Sequence, residues 1–289
     1  MKVHLIDGTY ELFRAHFGAP PKKSTSGLEV GATLGLMRSL LMLLQSPGVT
    51  HVAVAFDHVI ESFRNKLYAG YKSSEGVDPI ILDQFELAEK AVSALGVVVW
   101  PMVKFEADDA IATATARFKK DKSVEQIIIC SVDKDLTQMV DGKKVICWDR
   151  RREIFLDEKG VVEKFGVKPE SIPDYLALVG DSADGYPGIK GWGAASTSSV
   201  LAKFKHIESI PKDPKKLPLG LGRATTLVEN LQQNYKDALL FRELSTLRED
   251  VPLKGNLKDL EWKGAFPRLK KLCQELRDER IPERVARWR

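Results

Sequence analysis

The sequence predicts an α/β protein, a mainly parallel sheet with helices on both faces, followed by a smaller helical region. Short apolar, β-rich runs recur at residues 3–6, 52–56, 97–100 and 127–130, with a further candidate at 145–148. Helix-like segments fall between them at about 28–45, 82–95 and 107–120. The runs are apolar at successive positions, as strands buried between two helical layers must be. From Pro169 onward the pattern turns helical and loop-rich, punctuated by Gly180, Gly185, Gly188, Gly191 and Gly193. Two domains are therefore expected, residues 1–168 and 169–289.

A chain of 289 residues with 44% hydrophobic and 29% charged residues has the proportions of a folded globular protein. The apolar stretch at the N-terminus ends at Asp7-Gly8, too soon for a signal peptide. Residues 34–44 come nearest to a membrane span, but Arg38 and Ser39 interrupt them well short of the roughly 20 apolar residues required. Cys130, Cys147 and Cys273 are odd in number and widely spaced, which fits neither a zinc site nor a disulfide framework. A soluble, cytoplasmic protein without a membrane partner is expected. Formal charge is only +4, but Lys and Arg gather at 64–72, 203–223 and 263–289 while acids recur at strand ends. That distribution points to a negative pocket in positive surroundings.

In open α/β sheets, chemistry sits in the crevice outside the carboxyl ends of the strands. Asp7 follows the first run, Asp57 the second, and Asp133 the fourth after two residues. Glu106, Asp108 and Asp109 open an alanine-rich helix, Asp133 and Asp135 open another, and Asp181 and Asp184 lie in a later loop. Taken singly, Asp7-Gly8 is a turn signal and Asp108 or Asp133 is a helix cap. Caps need one carboxylate per helix, however, and gathering this many acids at one edge costs several kcal/mol unless cations neutralise them. Oxygen-only ligands imply a hard ion such as Mg²⁺ or Mn²⁺. Two such ions about 4 Å apart would hold a phosphodiester, one activating water and the other stabilising the leaving oxygen.

These residues lie in motifs that resemble the bacterial 5′-nuclease family, including the N-terminal domain of DNA polymerase I and, more distantly, the flap endonucleases. The motifs are Leu5-Ile6-Asp7-Gly8, Ala55-Phe56-Asp57, Phe63-Arg64 with Tyr68-Ala69-Gly70-Tyr71-Lys72, Phe105-Glu106-Ala107-Asp108-Asp109, Ser131-Val132-Asp133-Lys134-Asp135-Leu136, and Asp174 to Asp181 continuing through Asp184 to Pro187-Gly188. The resemblance implies a PIN-like (resolvase-like) core with a helical arch near residues 60–90, and a C-terminal helix–hairpin–helix subdomain for duplex DNA. It implies that Asp7, Asp57, Glu106, Asp108, Asp109, Asp133, Asp135, Asp181 and Asp184 hold two or more divalent ions. Arg64 and Lys72 match basic residues that contact phosphate, where they would stabilise developing negative charge. Tyr68 and Tyr71 are placed to stack near a 5′ end. Without the resemblance, the same segment reads equally well as an amphipathic helix with its aromatics packed inward.

The resemblance further implies a structure-specific 5′-3′ exonuclease and flap endonuclease acting on DNA with 5′ ends, nicks or flaps. A monomer is expected. No polymerase-like segment follows, so the nuclease would act alone, beside a separate polymerase and ligase.

Gly188, Lys190, Gly191 and Gly193 form the candidate DNA-binding hairpin, whose backbone would approach a phosphate and hold a monovalent cation, K⁺. The sequence also departs from the family pattern. Ser73-Ser74-Glu75-Gly76 lacks a basic residue, Ala183-Asp184-Gly185 keeps the acid but loses neighbours that buttress the loop, and Ala195 replaces a lysine. Trp192, where the family has an aliphatic residue, reads better as a hydrophobic plug between two helices than as a DNA-stacking group. A PIN-like ribonuclease would need neither the Asp181/Asp184 pair nor the hairpin. A non-catalytic binder of branched DNA would have lost metal ligands, and none is lost.

Overall fold

The computed structural model describes residues Met1–Arg289. The chain runs through β1 (Lys2–Asp7), α1 (Gly8–Gly18), α2 (Gly31–Leu44) and β2 (His51–Asp57). Two single-turn helices, α3 (Arg64–Leu67) and α4 (Pro79–Leu82), precede α5 (Phe85–Ala94), β3 (Val98–Met102), α6 (Ala107–Phe118) and β4 (Gln126–Cys130). Then come β5 (Val145–Asp149), β6 (Ile154–Leu156), α7 (Glu158–Phe165), α8 (Ile172–Val179), α9 (Ala194–Phe204), α10 (Leu221–Gln233) and α11 (Tyr235–Ser245). The chain closes with α12 (Arg268–Glu275) and α13 (Arg280–Glu283). No helix is long and apolar enough to cross a membrane.

These elements form two compact units. The first comprises Met1–Ile60, Ser74–Ser131 and Glu249–Arg289, the second Glu61–Ser73 and Val132–Arg248. These units follow packing in space, so each draws on segments distant in the chain. Residues 249–289 fold back onto the first unit through apolar and backbone contacts: Trp262 N–H donates to the Thr50 carbonyl, its indole Nε1–H to the Leu95 carbonyl at 2.8 Å, and Phe266 N–H to the Ala94 carbonyl.

In the first unit, β3, β2, β1 and β4 lie parallel in that order, with Leu5 opposite both Ala53 and Ile129. Adjacent residues of a strand point to opposite faces, and Val3, His4, Leu5 and Ile6 are all buried. Both faces are therefore covered. Strand order reverses between β1 and β4, which places the topological switch point at the end of β1, at Asp7. The Asp7-Gly8 pair is not a turn. Asp7 is the N-cap of α1, accepting from Tyr10 N–H at 2.8 Å, and Gly8 opens the helix. A Cβ at Gly8 would lie 2.6 Å from Phe56 and Val54 side-chain atoms, so glycine lets the helix start close over β2. In the segment expected to form an arch, α3 and α4 are one turn each, and α5 is part of the sheet's cover, with Ala88, Ala91 and Val92 fully buried.

The second unit holds the antiparallel pair β5–β6 and the helices α7 to α11. Helix α8 packs on both α9 and α11.

Candidate metal centre and hairpin

In the first unit, acids line the carboxyl edge of the sheet, and Asp7, Asp57 and Asp109 are each held by a donor. Asp7 Oδ2 accepts from Ser131 Oγ, just past β4, at 2.9 Å. Asp57 Oδ1 accepts from Ala107 N–H at 2.7 Å, linking the end of β2 to the start of α6. Asp109, fully buried, accepts from Glu106 N–H at 3.0 Å and so closes the first turn of α6. Glu106 is buried as well, whereas Asp57 and Asp108 are half-buried.

The second unit brings three carboxylates together. Oxygen atoms of Asp135, Asp181 and Asp184 all lie within 4.8 Å of one another, and all three residues are buried. The loop that makes this happen is tightly turned: Gly185 and Tyr186 N–H both donate to the Asp181 carbonyl, and Asp181 Oδ1 accepts from Ala183 N–H. Gly185 has φ of 87°, and a Cβ there would stand 2.1 Å from the Gly70 carbonyl oxygen. Only glycine lets the strand of chain at 70–72 dock on this loop. That docking delivers Lys72, whose N–H donates to the Asp184 carbonyl at 2.9 Å and whose Nζ lies 3.2 Å from Asp184 Oδ1. Tyr186 anchors the loop from below, fully buried and stacked on Phe241 at 5.4 Å.

Charge within the trio is only partly compensated. Lys134 Nζ sits 2.7 Å from Asp181 Oδ2. Burial works against the Lys134 charge, but the bond to Asp181 and the surrounding acids hold its ammonium above the usual range. Burial, followed by the charges of Asp133, Asp184 and Asp181, pushes the Asp135 carboxyl well above the carboxylate range. Asp135 Oδ1 is buried with no hydrogen-bond partner. A buried carboxylate oxygen without a donor, beside two further carboxylates, is what a hard divalent cation would satisfy. The residues fit the expected ion.

Sequence reading missed Lys134, although its place between Asp133 and Asp135 was a signal that it would face the same carboxylates. Asp133 stands outside the trio, exposed, where its Oδ1 accepts from Asp135 N–H at 2.9 Å and fixes the turn.

Three candidates change role. Arg64 does not reach out to a phosphate. It is 1% exposed, its Nε donates to the Leu244 carbonyl at 2.7 Å and its Nη2 to the Thr246 carbonyl at 3.1 Å, closing the C-terminus of α11. The guanidinium satisfies carbonyls that a helix end leaves without partners. Tyr71 is buried and so is not an open stacking surface, whereas Tyr68 is half-buried with its ring edge-on to Phe241. Gly188 is required for packing: a Cβ there would come within 2.6 Å of backbone atoms of residues 178–180 at the end of α8.

The rest of the hairpin joins α8 to α9. Lys190, Gly191 and Gly193 are exposed, and Gly193 is the N-cap of α9. Trp192 is the plug: it is 3% exposed, and its Nε1–H donates to the Leu227 carbonyl at 3.0 Å. Ala195, in the first turn of α9, is exposed.

A mainly parallel sheet with carboxylates along its carboxyl edge, joined in the same chain to a buried all-oxygen trio and a two-helix hairpin, defines a metal-dependent α/β hydrolase of resolvase-like type. The chain belongs to the 5′-3′ exonuclease family: residues 2–166 match its N-terminal resolvase-like domain and residues 167–267 its C-terminal SAM fold. A 5′-3′ exonuclease of Aquifex aeolicus is 32% identical over 276 residues, covering 95% of this chain and 91% of that protein. DNA polymerase I of Rhizobium leguminosarum is 34% identical over 265 residues, covering 89% of this chain but 25% of the polymerase. The chain thus spans about a quarter of that polymerase's length. In fold it is similar to the bacteriophage T5 D15 flap endonuclease in complex with DNA and metal ions, with a TM-score of 0.68 and 16% identity over 98% of this chain and 96% of that one. The catalytic core of Rad2 in complex with DNA substrate gives 0.63 and 16%, over 99% and 92%.

Proposed function

We propose that this chain is a structure-specific 5′-nuclease that hydrolyses DNA phosphodiester bonds at 5′ ends, nicks and flaps with Mg²⁺ or Mn²⁺. The observation that carries this reading is the buried trio Asp135, Asp181 and Asp184, with its partnerless Asp135 oxygen. Asp135, Asp181 and Asp184 would hold one ion, and the edge formed by Asp7, Asp57, Glu106 and Asp108 supplies ligands for another. Bound there, the divalent ions supply Lewis-acid charge and a more acidic water.

The protein's own groups do the rest. Asp133 holds the turn that presents Asp135, and Lys134 fixes the orientation of Asp181. Lys72 is more exposed than the Asp184 carboxylate it holds, at 30% against 12%. Its ammonium is the group available to a phosphate oxygen, where it stabilises the charge that develops as water attacks phosphorus and the phosphorus–oxygen bond breaks. On this reading, Lys190, Gly191 and Gly193 meet the duplex backbone and hold K⁺. The chain acts as a cytoplasmic monomer, in a pathway shared with a DNA polymerase and a ligase.

The test is cleavage of 5′-flap, nicked, single-stranded and RNA substrates with Mg²⁺, Mn²⁺ or excess EDTA. Metal-dependent cutting of flap and nicked DNA is the expected result. Undiminished cutting in EDTA removes the metal mechanism, and a preference for RNA favours a PIN-like ribonuclease.

A further inference from the structure

Formal charge is unevenly spread along this chain. The whole sequence carries 44 Lys and Arg against 40 Asp and Glu. Residues 268–289 alone hold eight of the former and four of the latter, so the other 267 residues are neutral, at 36 against 36. The entire net charge of +4 therefore resides in the last 22 residues. This segment lies beyond the part matched by the family, which ends at residue 267.

It is nevertheless folded. Leu269, Cys273, Leu276 and Ile281 are buried, so its apolar residues face inward. All eight basic residues are exposed, whereas one of the four acids, Asp278, is buried and paired with Arg38 and Lys22. The surface is thus more basic than the sequence, with eight cations against three anions.

The cations divide into two sets. Arg268 donates to Ser93, Arg289 donates to the Gly264 and Gly96 carbonyls, and both guanidinium groups lie about 4.5 Å from the centre of the Phe266 ring. Lys270 sits 4.9 Å from the Trp288 ring and Arg287 6.0 Å from that of Trp262. These four pin the segment down. The head groups of Lys271, Arg277, Arg280 and Arg284 have no such partner.

We infer that Lys271, Arg277, Arg280 and Arg284 form a second nucleic-acid contact on the first unit, gripping the phosphate backbone of a duplex. None of the segment's large apolar residues is exposed, so it lacks the desolvated core that a protein partner would need. A concentrated, rigidly based set of unpaired cations is the pattern of sequence-independent backbone binding. The duplex partner rests on the nuclease reading above, which wild-type cleavage tests separately.

The experiment compares wild type with K271Q/R277Q/R280Q/R284Q in binding a blunt 20-base-pair duplex across a salt titration, with Ca²⁺ in place of Mg²⁺. Removing one cation from a phosphate flattens the log-affinity against log-salt slope by roughly 0.9, so a decrease between about 1.8 and 3.6 is expected if two to four of these side chains touch the backbone. A control, K2Q/K120Q/K122Q/K258Q, removes the same charge from elsewhere on the first unit, and thermal melting verifies both folds. An unchanged slope overturns the proposal. So does an equal decrease in the control, which would report net charge alone, or a loss of binding to an acidic polypeptide with duplex binding intact, which would make the surface a protein contact.

Discussion

Replacing Arg64 separates a structural role from a catalytic one. Its guanidinium donates to the Leu244 and Thr246 carbonyls at the end of α11 and is 1% exposed. Hydrogen bonds to a charged group contribute about 1.5–3 kcal/mol each, and a helix C-terminus adds a few tenths more for a cation. Arg64→Met keeps most of the volume and removes the bonds to these carbonyls, so a loss of about 3–5 kcal/mol is expected. Arg64→Lys keeps the charge but not the fork, and should lose about half as much. Urea unfolding measures the stability, and single-turnover cleavage at saturating enzyme, under conditions where the variant is folded, measures the chemistry. A cleavage rate within about threefold of wild type should accompany the loss of stability. Unchanged stability with a rate lowered a hundredfold or more would refute this reasoning and return Arg64 to the phosphate.

Burial alone would raise the Asp278 carboxyl, but hydrogen bonds from Arg38 and Ile281 N–H, with the charges of Arg38 and Lys22, hold it below the usual carboxylate range. Its contribution is therefore complete above about pH 5 and lost as pH falls through the lowered folded value, so Asp278→Asn should be less stable at pH 7 and show a smaller loss between about pH 5 and 2 in acid unfolding curves. The cost at pH 7 should be about 1–2 kcal/mol, because Arg38 and Lys22 are partly solvated. Trp192→Ala should cost about 3–5 kcal/mol by denaturant melting, and Trp192→Phe about 1–3, since it keeps a ring but leaves the Leu227 carbonyl without the indole donor. Equal costs would mean that the indole bond, not ring volume, carries the site. Ala195→Lys should add one phosphate contact and steepen the salt slope of flap binding in Ca²⁺ by roughly 0.9; an unchanged slope would turn the first turn of α9 away from DNA.

Periodicity revealed the parallel strands because double-sided burial leaves continuous apolar runs, and β1 to β4 fall within a residue or two of the expected positions. Helix α1 was hidden because Asp-Gly is a turn signal in isolation. Only the nearness of Phe56 and Val54 shows that Gly8 answers to packing. Among the candidate ligands, sequence could mark carboxylates at strand ends and loop turns, but not which of them would meet. The Asp135, Asp181 and Asp184 trio depends on Gly185 admitting the chain at Gly70, a contact between residues more than a hundred positions apart. Arg64 illustrates the converse limit: a motif names the residue, while the two carbonyls that claim it lie about 180 residues later.

The route of the chain has a consequence for its biogenesis. The first unit is assembled from three segments, and the last of these, Glu249–Arg289, is made only after every residue of the second unit. Until then, the surfaces that Trp262 and Phe266 cover at Leu95 and Ala94 stay open to solvent, whereas every residue of the second unit has already been made. A nascent chain halted before residue 249 thus holds the complete trio and every strand of the sheet but not the segment that covers Leu95 and Ala94, so the first unit is completed only once residues 249–289 have followed.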